Sequence, residues 1–131
     1  MTYNELKEKH QTSRDAFTGI FYAFSNSQFN EGMAKLGLSG DTDLRKIASI
    51  GNGGYLLKEK SQAFQDLIKS FSRDMDKLRA NPPELLAALI YELRNHEYCI
   101  TYDPKDALYA LGLTEAEVDP TILRQATQAA I

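Results

Sequence analysis

Gly51-Asn-Gly-Gly54 constrains this chain more than any other stretch. Asn-Gly between short apolar runs supplies the positive φ that a tight turn needs at its centre, and it is the strongest local signal for a β-hairpin. The flanking runs therefore read as two strands, roughly 46–50 and 55–58. A lone two-stranded hairpin is marginal in water. Tyr98, Ile100 and Tyr102 alternate with Cys99 and Thr101, so 98–102 is the expected third strand.

Everything else reads as helix. Thr2 and Glu5 fit a capping box. Behind it Leu6, His10, Ser13, Phe17, Ile20, Phe21 and Phe24 recur at spacings of three and four, which predicts a helix from about 3 to 24. Its apolar second half makes it the expected most buried helix. Ser25-Asn26-Ser27 can cap a second helix, with Phe29, Met33 and Leu36 on its inner face and Gly37 as its C-cap. Gly32 inside that helix is a poor helix former and suggests a close approach by another backbone.

Ser61 opens a long helix to about Ala80 on Phe64, Leu67, Ile68, Phe71, Met75 and Leu78. Asn81-Pro82-Pro83-Glu84 ends it and starts the next, which runs to about His96. Asp103-Pro104 begins another helix that Gly112 terminates, and Thr114 with Glu117 forms a second capping box. Asp119-Pro120 starts a final helix, 120–131, whose Gln and Ala content places it at the periphery. Met33–Ser39 and Leu108–Thr114 echo each other over seven positions, which reads as one C-cap chemistry used twice. The expected fold is α+β: a mostly helical single domain, 1–131, with a small antiparallel sheet of three short strands, 46–50, 55–58 and 98–102.

Charge and composition remove several functions. At 131 residues and 43% hydrophobic the chain carries apolar material for one core. A net charge of -3 argues against a protein that coats nucleic acid, which needs a basic face. Lys46, Lys58 and Lys60 flank the glycine turn, but Glu59 sits among them. No apolar run reaches the roughly 18 residues of a membrane span. The N-terminus lacks the basic start and apolar stretch of a signal peptide. The single Cys99 forms no intrachain disulfide. A cytoplasmic location follows by default.

Unusual residues cluster between Tyr91 and Leu113: one of two histidines, the only cysteine and four of seven tyrosines. His96-Glu97 invites a metal or acid–base reading, and a small-ligand or metal site would draw on His96, Glu97 and Asp103. Helical metal ligands are usually spaced at i and i+4, and Ile100 occupies that position. His96 is more simply a helix C-terminal residue favoured by the dipole. Cys99 reads as a small buried hydrophobe. No phosphate loop, dinucleotide fingerprint or catalytic triad order is present, so neither enzymatic activity nor a cofactor is expected. What remains is a candidate contact patch of Asn52, Tyr55, Asn95, His96, Glu97, Tyr98, Tyr102 and Asp103. A shared sheet would bring the 51–54 turn and the 95–103 segment together.

Three blocks carry a resemblance: Phe21–Gly32 with Lys35-Leu-Gly37, Ile50–Lys58, and Tyr91–Tyr98 with Thr101–Leu108. In that order they resemble small uncharacterised proteins of bacteriophages, prophages and other mobile elements, over roughly residues 17 to 113. The resemblance implies a small accessory protein that binds a host or phage protein, an inhibitor of a bacterial defence complex among the forms this takes. It implies no activity and no site residues.

Overall fold

A computed structural model describes all 131 residues. The chain is mostly helical with one small antiparallel sheet. Seven helices, α1 (Tyr3–Ala16), α2 (Asn26–Lys35), α3 (Ser61–Arg79), α4 (Pro82–Asn95), α5 (Tyr98–Thr101), α6 (Lys105–Ala110) and α7 (Pro120–Ala129), accompany strands β1 (Ile20–Tyr22), β2 (Ile47–Gly51) and β3 (Gly54–Leu57). No helix is long and apolar enough to cross a membrane. The residues fall into two compact units, one of 1–8 with 71–131 and one of 9–70.

The second unit holds the sheet, in the order β1-β3-β2. Asn52 and Gly53, at φ 51 and 78, make the expected turn. Ser49 pairs with Tyr55 and Gly51 with Gly54, so Ile50 is the extra residue of a bulge. The third strand is not 98–102. It is β1, which pairs antiparallel with β3 through Ile20–Leu56, Phe21–Tyr55 and Tyr22–Gly54.

The helix expected to reach residue 24 therefore stops at Ala16. Gly19 is the cause: its φ of 92 lies outside any right-handed helix, and its carbonyl accepts from the Leu57 N–H at 2.9 Å. Ile-Phe-Tyr, all strand formers, then continue into the sheet. Ser25 caps α2 by accepting from the Gln28 N–H. The Phe21 ring stacks on Tyr55 at 5.3 Å, and Phe29 meets both edge-on. Gly32 faces that cluster, and a Cβ there would overlap the Phe21 ring. The close neighbour is thus a side chain, not a backbone.

The first unit is built around α4. Leu85, Ala88, Leu89 and Leu93 are buried at helical spacing. Around them lie Leu78 of α3, Leu108 and Leu111 of the α6 segment, and Tyr3 and Leu6 of α1. The most buried helix is α4, not the first. Asn81 caps it through the Glu84 N–H, with Pro82 at its first position. The last helix is not peripheral either, since α7 packs on α4 and Ala126 and Ala130 belong to the core.

The sequence echo is structural. Gly37 and Gly112 both adopt positive φ, and the following leucine N–H reaches back five residues, Leu38 to Met33 and Leu113 to Leu108, both at 2.9 Å. Each is a Schellman C-cap. Thr114 and Glu117 close the second capping box, where the Thr114 backbone N–H and hydroxyl hold the Glu117 carboxyl below its usual range.

Candidate functional site

Segment 95–103 forms an elbow between α4 and α6. Asn95 is the last residue of α4 and His96 its C-cap. Glu97 turns the chain with a left-handed φ of 55, and α5 follows as a single turn. The strand expected at 98–102 is absent. Local bonds take its place: the Ile100 N–H donates to the Glu97 carbonyl at 2.9 Å and the Tyr102 N–H to that of Tyr98 at 2.8 Å. Five alternating residues do not distinguish a strand from a helical turn, and the bonds within the segment decide it. Tyr102, at φ 54, closes the turn in the same left-handed conformation. The helix expected from Asp103 starts two residues later, with Pro104 as the N-cap of α6, and the Asp103 Oδ1 accepts from the Lys105 N–H at 3.0 Å.

This geometry sorts the side chains of the elbow. Tyr98 packs against the core, and Tyr102 meets it edge-on with ring centroids 5.8 Å apart. Ile100 is 71% exposed and Tyr102 62%. Cys99 is exposed, not buried as its place on a strand implied. Asn95, Glu97 and Asp103 are exposed as well. On α6, Tyr109 is 86% exposed.

Asn52 and Tyr55 lie elsewhere. Both belong to the sheet-bearing unit, whereas 95–103 belongs to the unit built on α4. With no strand at 98–102, the sheet does not join them. Tyr55 is committed to its aromatic cluster and lines a cleft of about 470 Å³ with Phe24, Asn26 and Phe29.

His96 is tied down, but not by its sequence neighbour. Its Nε2 lies 3.3 Å from Oε2 of Glu92, one helical turn back. Glu92 is only 2% exposed. The Tyr3 hydroxyl donates to its Oε1 at 2.7 Å, and the Lys7 ammonium stands 3.4 Å from the same oxygen. Lys7 also lies over the Tyr3 and Tyr91 rings, at 5.2 and 4.9 Å from their centroids. Burial, and then the adjacent Glu92 carboxylate, push the Tyr3 phenol above its ordinary range. A buried carboxylate that takes hydrogen bonds from Tyr3 and Lys7 on one oxygen, with the His96 ring beside the other, is a lock between α1 and α4. It is not an open base.

Sequence reasoning passed over Glu92, though a signal was present. It stands three residues after Leu89 and seven after Leu85, on the apolar face of α4. His96, Glu97 and Asp103 do not gather as a metal site: no group of three or more His, Cys, Asp or Glu side chains is placed to hold an ion.

A family of unknown function (DUF7659) matches residues 2–131, and the chain belongs to that family. No curated protein and no solved structure matches it.

Proposed function

We propose that this DUF7659 chain is a non-enzymatic protein that acts by binding another protein through the α5 elbow. One observation carries the reading: a single helical turn held between two left-handed non-glycine residues, with Ile100 and Tyr102 turned to solvent. A left-handed L residue costs roughly 1–2 kcal/mol. Strain of that kind persists where the surroundings enforce it, and it clusters at binding surfaces. Exposed tyrosine and aliphatic side chains are the usual anchors of a protein contact. The buried Glu92, with Tyr3 and His96 committed to it, supports a structural role for the one acid–base cluster nearby. The resemblance to proteins of phages and mobile elements directs the choice of partner to a host protein. Inhibition of a bacterial defence complex is the form of the proposal to try first.

Cys99 provides the test, because it is the only cysteine and sits within the elbow. A photo-crosslinker attached there in the otherwise native chain is expected to capture one host protein at high yield. Ile100→Asp and Tyr102→Ser, folded to the same melting temperature, are expected to lose most of that yield. Capture that is diffuse, or equal in the variants, would remove the elbow as the contact surface.

A further inference from the structure

We propose that the cleft at the open end of the β2–β3 hairpin binds a small amphipathic anion, a carboxylate or phosphate head on an apolar body. Ile47 pairs with Leu57 at the last rung of the ladder. Lys46 and Lys58, one residue beyond that rung on each strand, leave the sheet at the same end. Each enters a short 3-10 turn, Leu44–Lys46 and Lys58–Lys60. The Schellman cap of α2 brings Leu36 and Leu38 to the same cleft, where they join Leu57. The result is an apolar lining of three leucines with Arg45, Lys46 and Lys58 beside it.

Charge and size both select the occupant. On a chain of net charge -3, this cleft gathers three cations against one lining carboxylate, Glu59. Lys46 is partly satisfied by Asp43 at 3.2 Å, while neither Arg45 nor Lys58 forms an ion pair. Like charges gathered at one end of a hairpin repel one another. An anion in the cleft relieves that repulsion. The cavity measures about 540 Å³, the size of a small-molecule site. Its seven lining residues fall well short of a stable protein interface, which takes roughly 20–30 residues a side. The leucines call for an apolar body, and the cations call for a charged head.

Methyl and amide NMR of the full chain tests this with three probes: octyl phosphate below its micelle threshold, inorganic phosphate and octanol. Octyl phosphate is expected to shift the methyls of Leu36, Leu38 and Leu57 to saturation. Each half-probe should bind at least about tenfold more weakly. Arg45→Gln and Lys58→Gln should each weaken octyl phosphate by roughly fivefold without changing the melting temperature. Inorganic phosphate binding as tightly would reduce the cleft to a charge patch. Octanol binding as tightly, unchanged affinity in both variants, shifts centred elsewhere, or no shifts at all would each overturn the proposal. Capture by phosphatidylglycerol vesicles without binding of monomeric octyl phosphate would assign a membrane surface instead. The site lies outside the α5 elbow, so its failure and that of the protein-binding reading are separate.

Discussion

The Tyr3 hydroxyl donates a 2.7 Å hydrogen bond to Glu92, 89 positions away in sequence, and so fixes the start of α1 against the buried face of α4. Removing the hydroxyl with Tyr3→Phe should cost about 1.5–3 kcal/mol, the range for a hydrogen bond to a charged group. Glu92→Ala should cost more, about 2–4 kcal/mol, because it opens a cavity and leaves the Tyr3 hydroxyl buried without its acceptor. Lys7→Ala should cost less than about 1 kcal/mol, since that side chain is nearly half exposed. Urea unfolding of the three variants gives the order. A neutral Tyr3→Phe would show that this bond does not hold α1 in place.

Alkaline pH reads the same contact. The folded pKa of Tyr3 is raised, by burial first and by Glu92 second. Its contribution to stability is therefore complete below the unfolded tyrosine value of about 10. Above that pH the unfolded chain releases a proton that the folded chain retains, so stability falls as pH rises. Urea midpoints between about pH 8 and 11.5 should decline more steeply for the native chain than for Tyr3→Phe. Tyrosinate absorbance should show one of the seven tyrosines ionising only on unfolding. Parallel pH profiles for the two proteins would contradict this.

What could be read ahead of the structure was mostly what is local. The caps at Ser25, Asn81 and Asp119, the Asn52-Gly53 turn and the two glycine C-caps each rest on a few adjacent residues. What could not be read depends on partners distant in sequence. Ile20 and Phe21 fit a helical face as well as a strand, and only pairing with Leu56 and Tyr55 decides between them. Gly19 was the one local warning. At 98–102 the alternation was too short to decide, and the elbow's own hydrogen bonds close a helical turn instead. Glu92 was hidden because a carboxylate is normally assigned to solvent, and its partner Tyr3 lies in another helix.

Gly32→Ala should reverse its usual sign. In an open helix interior this change stabilises by about 1 kcal/mol. Here the new methyl overlaps the Phe21 ring, which Tyr55 and Phe29 hold on two sides. A loss of about 1–3 kcal/mol is expected from overpacking. In a Phe21→Leu background the same change should cost at least about 1 kcal/mol less, a coupling that a double-mutant cycle in urea measures directly. Additive effects would mean that the ring is free to move aside.

The elbow should be more stable when its strain is relieved and less able to bind. Glu97 is exposed, its φ is 55, and its side chain caps nothing. Glu97→Gly removes the left-handed penalty of roughly 1–2 kcal/mol, offset in part by the entropy glycine loses on folding. A net gain of about 0.5–1 kcal/mol is expected in urea unfolding. The same change frees α5 to sample other positions, so Ile100 and Tyr102 are presented less rigidly and crosslinking from Cys99 should fall. Stability rising while capture falls is the exchange expected where backbone strain serves a binding surface. A stabilised Glu97→Gly chain with undiminished capture would separate the strain from function. A destabilised one would mean that neighbouring contacts favour the left-handed residue as it stands.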